Sequence, residues 1–291
     1  MAFTIKDIAN LTGVKPHTIR IWEQRYNFLK PARTDTNIRF YSGDELKKIL
    51  NISLLNKNGF KISRIDKLSE DEINEKVISL SSADAKQEKI VNDLIQQMID
   101  VNMHRFETIL DKYIHTNGIE QTILQIVFPF LEKIGILWLT NNINPAQEHL
   151  VSNIIRQKIL VGIETLKTNI KSDKLICLFL PEGEYHELAL LFVAFLLKKH
   201  GLNTVYLGAS IPMSDIEFIV QFKKPSYLYT HLTTAGQNFN FDKFISNISR
   251  KFNGMQIIVS GKLAASYEKK IPSNIKFKKS LKEVIEFAES L

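Results

Sequence analysis

Pro16-His17-Thr18-Ile19-Arg20-Ile21-Trp22-Glu23-Gln24-Arg25-Tyr26 reads as one short helix with two faces. Ile19, Trp22 and Tyr26 recur at spacings of three and four, which places them on one buried stripe. His17, Thr18, Arg20, Gln24 and Arg25 are left pointing outward. Proline suits the first turn, where its missing amide would go unpaired anyway. Upstream, Thr4-Ile5-Lys6-Asp7 has the pattern of a capping box, the hydroxyl and carboxylate answering free backbone amides at a helix start. Ile5, Ile8, Ala9 and Leu11 give that first helix its buried stripe, and Gly13 permits the tight turn between the two. Such a pair, with a polar and basic second helix, fits a helix-turn-helix that lays this helix in the DNA major groove.

Downstream, Lys30-Pro31-Ala32-Arg33, the turn Asp35-Thr36-Asn37 and Arg39-Phe40-Tyr41 read as a wing whose basic ends lie on phosphates. Ser42-Gly43-Asp44-Glu45 is a further capping box, opening a helix through Leu46, Ile49, Leu50 and Leu54. Residues 1 to 70 hold 13 Lys+Arg against 7 Asp+Glu, so +6 of the net charge of +7 sits here. A concentrated positive charge of this kind is a phosphate-neutralising footprint.

The order of these parts, with Ile19 to Tyr26, Arg39-Phe40-Tyr41 and Asn58-Gly59-Phe60-Lys61-Ile62, resembles the MerR family of transcriptional regulators over about the first quarter of the chain. The resemblance implies DNA contacts at Arg20, Arg33, Arg39 and Tyr41. Lys15, His17, Thr18 and Arg25 join them as candidates on the same helix and its entry, Lys15 standing where a Ser or Thr often caps the recognition helix.

At 291 residues the chain suits two or three domains, each able to bury a core. Apolar content of 44% and charged content of 24% are those of ordinary globular proteins. The lone Cys177 lies in the apolar run Leu175 to Leu180, which excludes a disulfide framework and points to a reducing, cytoplasmic setting. The longest apolar run, Leu188 to Leu197, has ten residues, against the roughly 20 a membrane helix needs. The polar stretch Ser69 to Lys89 reads as a connector. The expected division is a winged helix-turn-helix at 1–75, a linker at 76–88, a helical bundle at 89–170 and an α/β domain at 171–291.

Between Lys89 and Lys167 apolar residues recur with helical period: Ile90, Leu94, Met98, then Phe106, Ile109, Leu110, Tyr113. Ile119 to Leu139 makes a third helix, and Asn144-Pro145 opens a fourth running to Leu166. A four-helix bundle is the economical packing. Trp138 closes the third helix and Glu148-His149 sits on the first turns of the fourth, so the loop between them brings these groups to one end of the bundle.

From Lys174 the pattern changes to apolar strands alternating with helices. Leu175 to Leu180, Thr204 to Leu207, Tyr227 to Leu232 and Gln256 to Val259 read as strands, with a weaker fifth at Asn274 to Phe277. Helices fit His186 to Lys199, Ser214 to Phe222, Phe241 to Phe252 and Leu281 to Ser290. The unit is therefore a Rossmann-like, flavodoxin-like domain with a parallel sheet. Ligands of such sheets bind beyond the carboxyl ends of the strands. There this chain places Pro181 to His186, Gly208-Ala209-Ser210, Thr230 to Thr234 with Gly236, and Ser260-Gly261, a lining of small and hydroxyl side chains. His186 could bind a transition metal, with Glu184 fixing its tautomer.

The spacing Glu184-x-His186-x-x-Ala189, 40 residues, Thr230-x-Leu232, 27 residues, Ser260-Gly261 resembles the cobalamin-binding module of corrinoid enzymes and cobalamin-sensing regulators. Ala189 and Ser260 stand where that module has glycines, and Thr230 where it has serine. The resemblance implies that His186 takes cobalt from below while the nucleotide tail inserts near Thr230, Leu232, Ser260 and Gly261. Trp138, nine residues and Glu148-His149 are similar to the cap signature of MerR-type cobalamin regulators, light-sensing members included. The implied protein is a repressor, not an enzyme, controlled by adenosylcobalamin and by light, bound to an inverted-repeat operator in double-stranded DNA as a dimer, or as a tetramer with ligand. Two alternatives stay open: a corrinoid-dependent methyltransferase subunit, which has no use for a basic reading head, and a cofactor-free regulator answering to a protein antagonist.

Overall fold

The computed structural model describes residues 2–139, 143–170, 172–233 and 239–291, with Leu139 as backbone alone. The chain divides into two compact units, Met1–Ile155 and Arg156–Leu291.

The first unit opens with α1 (Ile5–Thr12) and α2 (Pro16–Arg25). The expected capping box is present: Asp7 N–H donates to Thr4 Oγ1 at 3.3 Å while Thr4 N–H donates to Asp7 Oδ2 at 2.7 Å. A cap of this kind contributes about 1 kcal/mol. Gly13 closes α1 at φ 72°, a left-handed turn that a side chain would strain. The short strands β1 (Ala32–Arg33) and β2 (Arg39–Phe40) pair antiparallel as the wing. Backbone bonds of 2.8 Å in both directions between Phe3 and Tyr41 tie its far end to the start of the chain.

Then come α3 (Gly43–Lys57), opened by the Ser42–Glu45 capping box, and the single turn α4 (Ile62–Ile65). The segment from Ser69 reads differently in three dimensions than in sequence. A third capping box, Ser69 with Glu72, starts α5 (Glu70–Ile78), and Ile73 and Val77 are buried. Two apolar residues four apart are enough to dock a helix, and its acidic neighbours hid them from a reading by composition. Only residues 79–82 separate it from α6.

The helical block comprises α6 (Ala83–Ile99), α7 (Met103–Thr122), a π-helical turn (Ile123–Val127), α8 (Phe128–Leu139) and α9 (Pro145–Thr165). Gly118, at φ 78° and ψ 163°, breaks α7, so the continuous helical stretch begins near Ile119 as expected. Phe106, Leu110, Phe130, Ile134 and Leu137 are buried in it, with Phe106 and Phe130 rings 5.4 Å apart. The reading head packs directly on this block: Lys57 of α3 pairs with Glu88 of α6 at 2.6 Å.

The second unit carries a five-stranded parallel sheet: β3 (Leu175–Pro181), β4 (Asn203–Ile211), β5 (Tyr227–His231), β6 (Gln256–Ser260) and β7 (Ile275–Lys278), in the order β4-β3-β5-β6-β7. The fifth strand, weak in sequence, is real. The connections run through α10 (Leu188–Lys199), α11 (Met213–Lys223), α12 (Phe241–Lys251) and the short α13 (Lys262–Ala265), with α14 (Leu281–Glu289) last. Parallel strands buried on both faces read as near-continuous apolar runs, which is how β3 reads. Burial pushes the Cys177 thiol within it up to about 12, which keeps it an inert core side chain. Among the described residues no helix is long and apolar enough to cross a membrane.

Candidate functional site

On α2 the outward residues are where periodicity put them. Lys15, His17, Arg20 and Arg25 are exposed and Thr18 is half-buried, while Ile19 and Trp22 are in the core. Lys15 is the N-cap residue and makes no side-chain cap, so Pro16 alone orders the first turn. Arg33 is exposed on the wing, its Nη1 donating to Asn37 Oδ1 at 2.7 Å across the turn.

Two of the proposed DNA contacts turn inward. Arg39 Nε donates to Glu23 Oε2 at 2.6 Å, and the Tyr41 hydroxyl donates to Glu23 Oε1. Tyr41 is 0% exposed, and burial first, then the Glu23 carboxylate, raises its phenol well above the usual range. The Tyr41 ring is fully enclosed, and its hydroxyl ties the wing to Glu23 of α2. Glu23 was not singled out from the sequence. Its position among outward-facing residues of α2 gave no sign that the wing folds back onto it.

In the α/β unit the strand order reverses between β3 and β5, and the crevice of such a sheet opens at that reversal, beyond the strand ends. Glu184 and His186 follow β3, and Thr230 to Thr233 close β5. Glu184 is 3% exposed, an unusual place for a carboxylate. It is held there by hydrogen bonds: Oε1 accepts from His186 N–H at 2.9 Å and Oε2 from Thr233 N–H at 3.1 Å. Its Oε1 also lies 2.5 Å from His186 Nδ1. These bonds hold the segment in a turn, and α10 starts at Leu188 rather than at His186. The His186 side chain is 55% exposed, with its Nδ1 engaged by the carboxylate. This is the arrangement that fixes the tautomer of a metal-binding histidine.

The other residues expected near a corrinoid tail divide by role. Thr230 is fully buried and its Oγ1 has no hydrogen-bond partner among the described residues. Leu232 is fully buried in the core between the sheet and α11 and α12. Gly261, at φ 99°, approaches it so closely that a Cβ would lie 2.3 Å from the Leu232 carbonyl oxygen. Ser260, also fully buried, accepts from the Tyr229 hydroxyl at 2.8 Å and lies 2.8 Å from His231 Nδ1. The hydroxyl at this glycine position is therefore committed to an internal network. Tyr229 and His231 were not picked out from the sequence, although His231 sits between Thr230 and Leu232. Thr234 and Gly236 lie outside the described residues.

In the helical unit Trp138, at the end of α8, is 46% exposed, a large ring left uncovered. On α9, Glu148 Oε2 lies 3.2 Å from His149 Nδ1, and Ser152 Oγ donates to Glu148 Oε1 at 2.5 Å. Residues 140–142 between them lie outside the described residues. The unpartnered Thr230 hydroxyl, the small residues at the crevice and the exposed, carboxylate-bound His186 together fit a corrinoid.

Residues 3–72 match the MerR HTH family regulatory protein model, and residues 90–161 match the B12 binding domain model, the second lying on the helical block. Over 273 residues the chain is 23% identical to the HTH-type transcriptional repressor CarH of Myxococcus xanthus, covering 91% of each protein. Over 283 residues it is 24% identical to the repressor CarA of the same organism, covering 93% of this chain and 90% of CarA. Among solved structures it resembles the monomethylamine corrinoid protein of Methanosarcina barkeri, with TM-score 0.56 and 14% identity over 70% of this chain and 99% of that one.

Proposed function

Because the chain joins a MerR-type DNA-binding domain to a B12-binding domain and is homologous over most of its length to the CarH and CarA repressors, we propose that it is a DNA-binding transcriptional repressor governed by bound cobalamin. The relatives aligned along nine-tenths of it are repressors, and the reading as a regulator rather than an enzyme follows them. The observation that carries the cofactor half is the buried Glu184 carboxylate 2.5 Å from Nδ1 of the exposed His186 ring, at the reversal point of the sheet.

Cobalamin would supply a cobalt ion able to accept an imidazole and, in its adenosyl form, a light-labile cobalt–carbon bond. On this reading His186 Nε2 is the cobalt ligand and Glu184 is the group that orients it. Thr230 Oγ1 gains the tail of the cofactor as its missing partner, and Leu232, Ser260 and Gly261 form the wall behind it. By resemblance, Trp138, Glu148 and His149 are further candidates for recognising the cofactor. Ligand binding alters operator occupancy only by favouring one arrangement of the protein over another. Light acting on the adenosyl form is expected to release the operator. A single reading head buries little DNA surface, which favours a dimer on an inverted repeat and further association with ligand.

The test is the absorption spectrum of the full chain mixed with adenosylcobalamin, in the dark and after illumination, for the protein and for His186→Ala. A histidine-ligated spectrum in the first and its loss in the second support the reading. Absence of that spectrum in the unaltered protein sinks it, and leaves the cofactor-free regulator to which Ala189 and the committed Ser260 hydroxyl point.

A further inference from the structure

A cleft of about 390 Å³ opens where the reading head meets the helical block, within the first unit and apart from every residue assigned above. Small-molecule sites span roughly 300–1,000 Å³, so the volume suits a metabolite. One wall comes from α3 and α5 of the head, the other from α6 and α7.

Its charge is one-sided. Lys47, Lys89 and Arg105 arrive from three different helices, and Asp93 is the one acidic residue in the lining. Asp93 is already paired with Lys89 at 2.5 Å. Lys47 and Arg105 are exposed and make no ion pair among the described residues. Two buried amides in the same lining have unmet hydrogen-bonding capacity. Asn92, 4% exposed, accepts from Lys133 Nζ at Oδ1 at 2.9 Å, yet its Nδ2 donor has no partner among the described residues. Gln96, 3% exposed, gives its Nε2 to Asp100, yet its Oε1 acceptor has none. A buried polar atom without a partner is costly to leave unmet, and such atoms in the lining of a cleft mark what a ligand is equipped to satisfy. Leu50, Val77, Ile78 and Ile109 add apolar surface for a carbon skeleton.

We propose that this cleft binds a small organic anion, a carboxylate- or phosphate-bearing metabolite that also carries a hydroxyl or amine donor, between Lys47 and Arg105. The anion meets the two cations and Asn92 Nδ2, and the donor meets Gln96 Oε1. Because the walls belong to the reading head on one side and the bundle on the other, occupancy holds the head in the packed arrangement, independently of anything bound at His186. The site is a second input to the regulator.

The test is isothermal titration of the full chain without cobalamin, at constant ionic strength, with citrate, adenosine monophosphate, inorganic phosphate and, as a neutral control, adenosine. Saturable binding of citrate or the nucleotide, tighter than inorganic phosphate and absent for adenosine, is expected. Lys47→Gln with Arg105→Gln should weaken it by at least about tenfold, since a charge-assisted hydrogen bond is worth about 1.5–3 kcal/mol. Both residues are exposed, so circular dichroism of the double variant should be unchanged. Gln96→Leu should weaken citrate and the nucleotide while leaving inorganic phosphate within twofold. Three results overturn the proposal: no saturable binding by any of the anions, binding indifferent to the double substitution, or a double variant that loses duplex DNA affinity without any anion present. The last would assign these cations to the DNA backbone.

Discussion

Glu23 and Arg39 form a 2.6 Å ion pair that joins the recognition helix to the second strand of the wing. The same carboxylate accepts from the buried Tyr41 hydroxyl, and its side chain is only 7% exposed. One carboxylate of the recognition helix thus holds two residues of the wing. Glu23→Ala leaves Arg39 unpaired and Tyr41 with a buried, unsatisfied donor, and should cost about 3 kcal/mol of unfolding free energy in urea. Tyr41→Phe should cost about 1 kcal/mol and leave DNA affinity within twofold at each salt concentration. A large loss of affinity with unchanged stability would return Tyr41 to direct contact.

Arg20 on α2 and Arg33 on the wing are both exposed. If each neutralises one phosphate, its replacement by alanine should reduce the slope of log affinity against log salt by about 0.9 on duplex DNA. A slope indifferent to both substitutions would place the footprint elsewhere on the head.

Thr230 offers a substitution with opposite effects on two measurements. Its Oγ1 is buried without a partner, so Thr230→Val, of the same shape, should stabilise the protein without cofactor by about 1 kcal/mol. The same variant should bind cobalamin more weakly, since the hydroxyl is assigned to the tail. Equal cobalamin affinity in both proteins would free Thr230 from that role.

His231 gives the α/β domain a dependence on pH. Its conjugate acid is pushed from 6.5 down to about 4, with burial the largest cause, Glu184 opposing it and His186 adding to it. Above about pH 6.5 the ring is neutral whether the chain is folded or not. Between there and about pH 4 the unfolded chain takes up a proton that the folded one refuses, so stability falls with falling pH, by up to about 3 kcal/mol. Urea unfolding between pH 4 and 7 should show this slope, and His231→Gln should flatten it. An unchanged slope would move the effect to another group.

The sequence alone determined what depends on short-range rules. Capping boxes at Thr4 and Ser42, the stripe Ile19–Trp22, Gly13 in its turn and the alternation of apolar strands with helices are local, and each appears where the residues required. The Glu184-x-His186 pair was legible for the same reason: two residues apart on a turn, they could hardly avoid each other. Tertiary structure decided the rest, because it depends on which distant groups meet. Tyr41 turned inward because Glu23, eighteen residues earlier, offered a buried acceptor. Ser260 became part of a network with Tyr229 and His231 because parallel pairing sets His231 beside it. The cation-lined cleft exists only because α3 and α5 come to rest on α6 and α7, and no periodicity within one helix encodes what faces it across a gap.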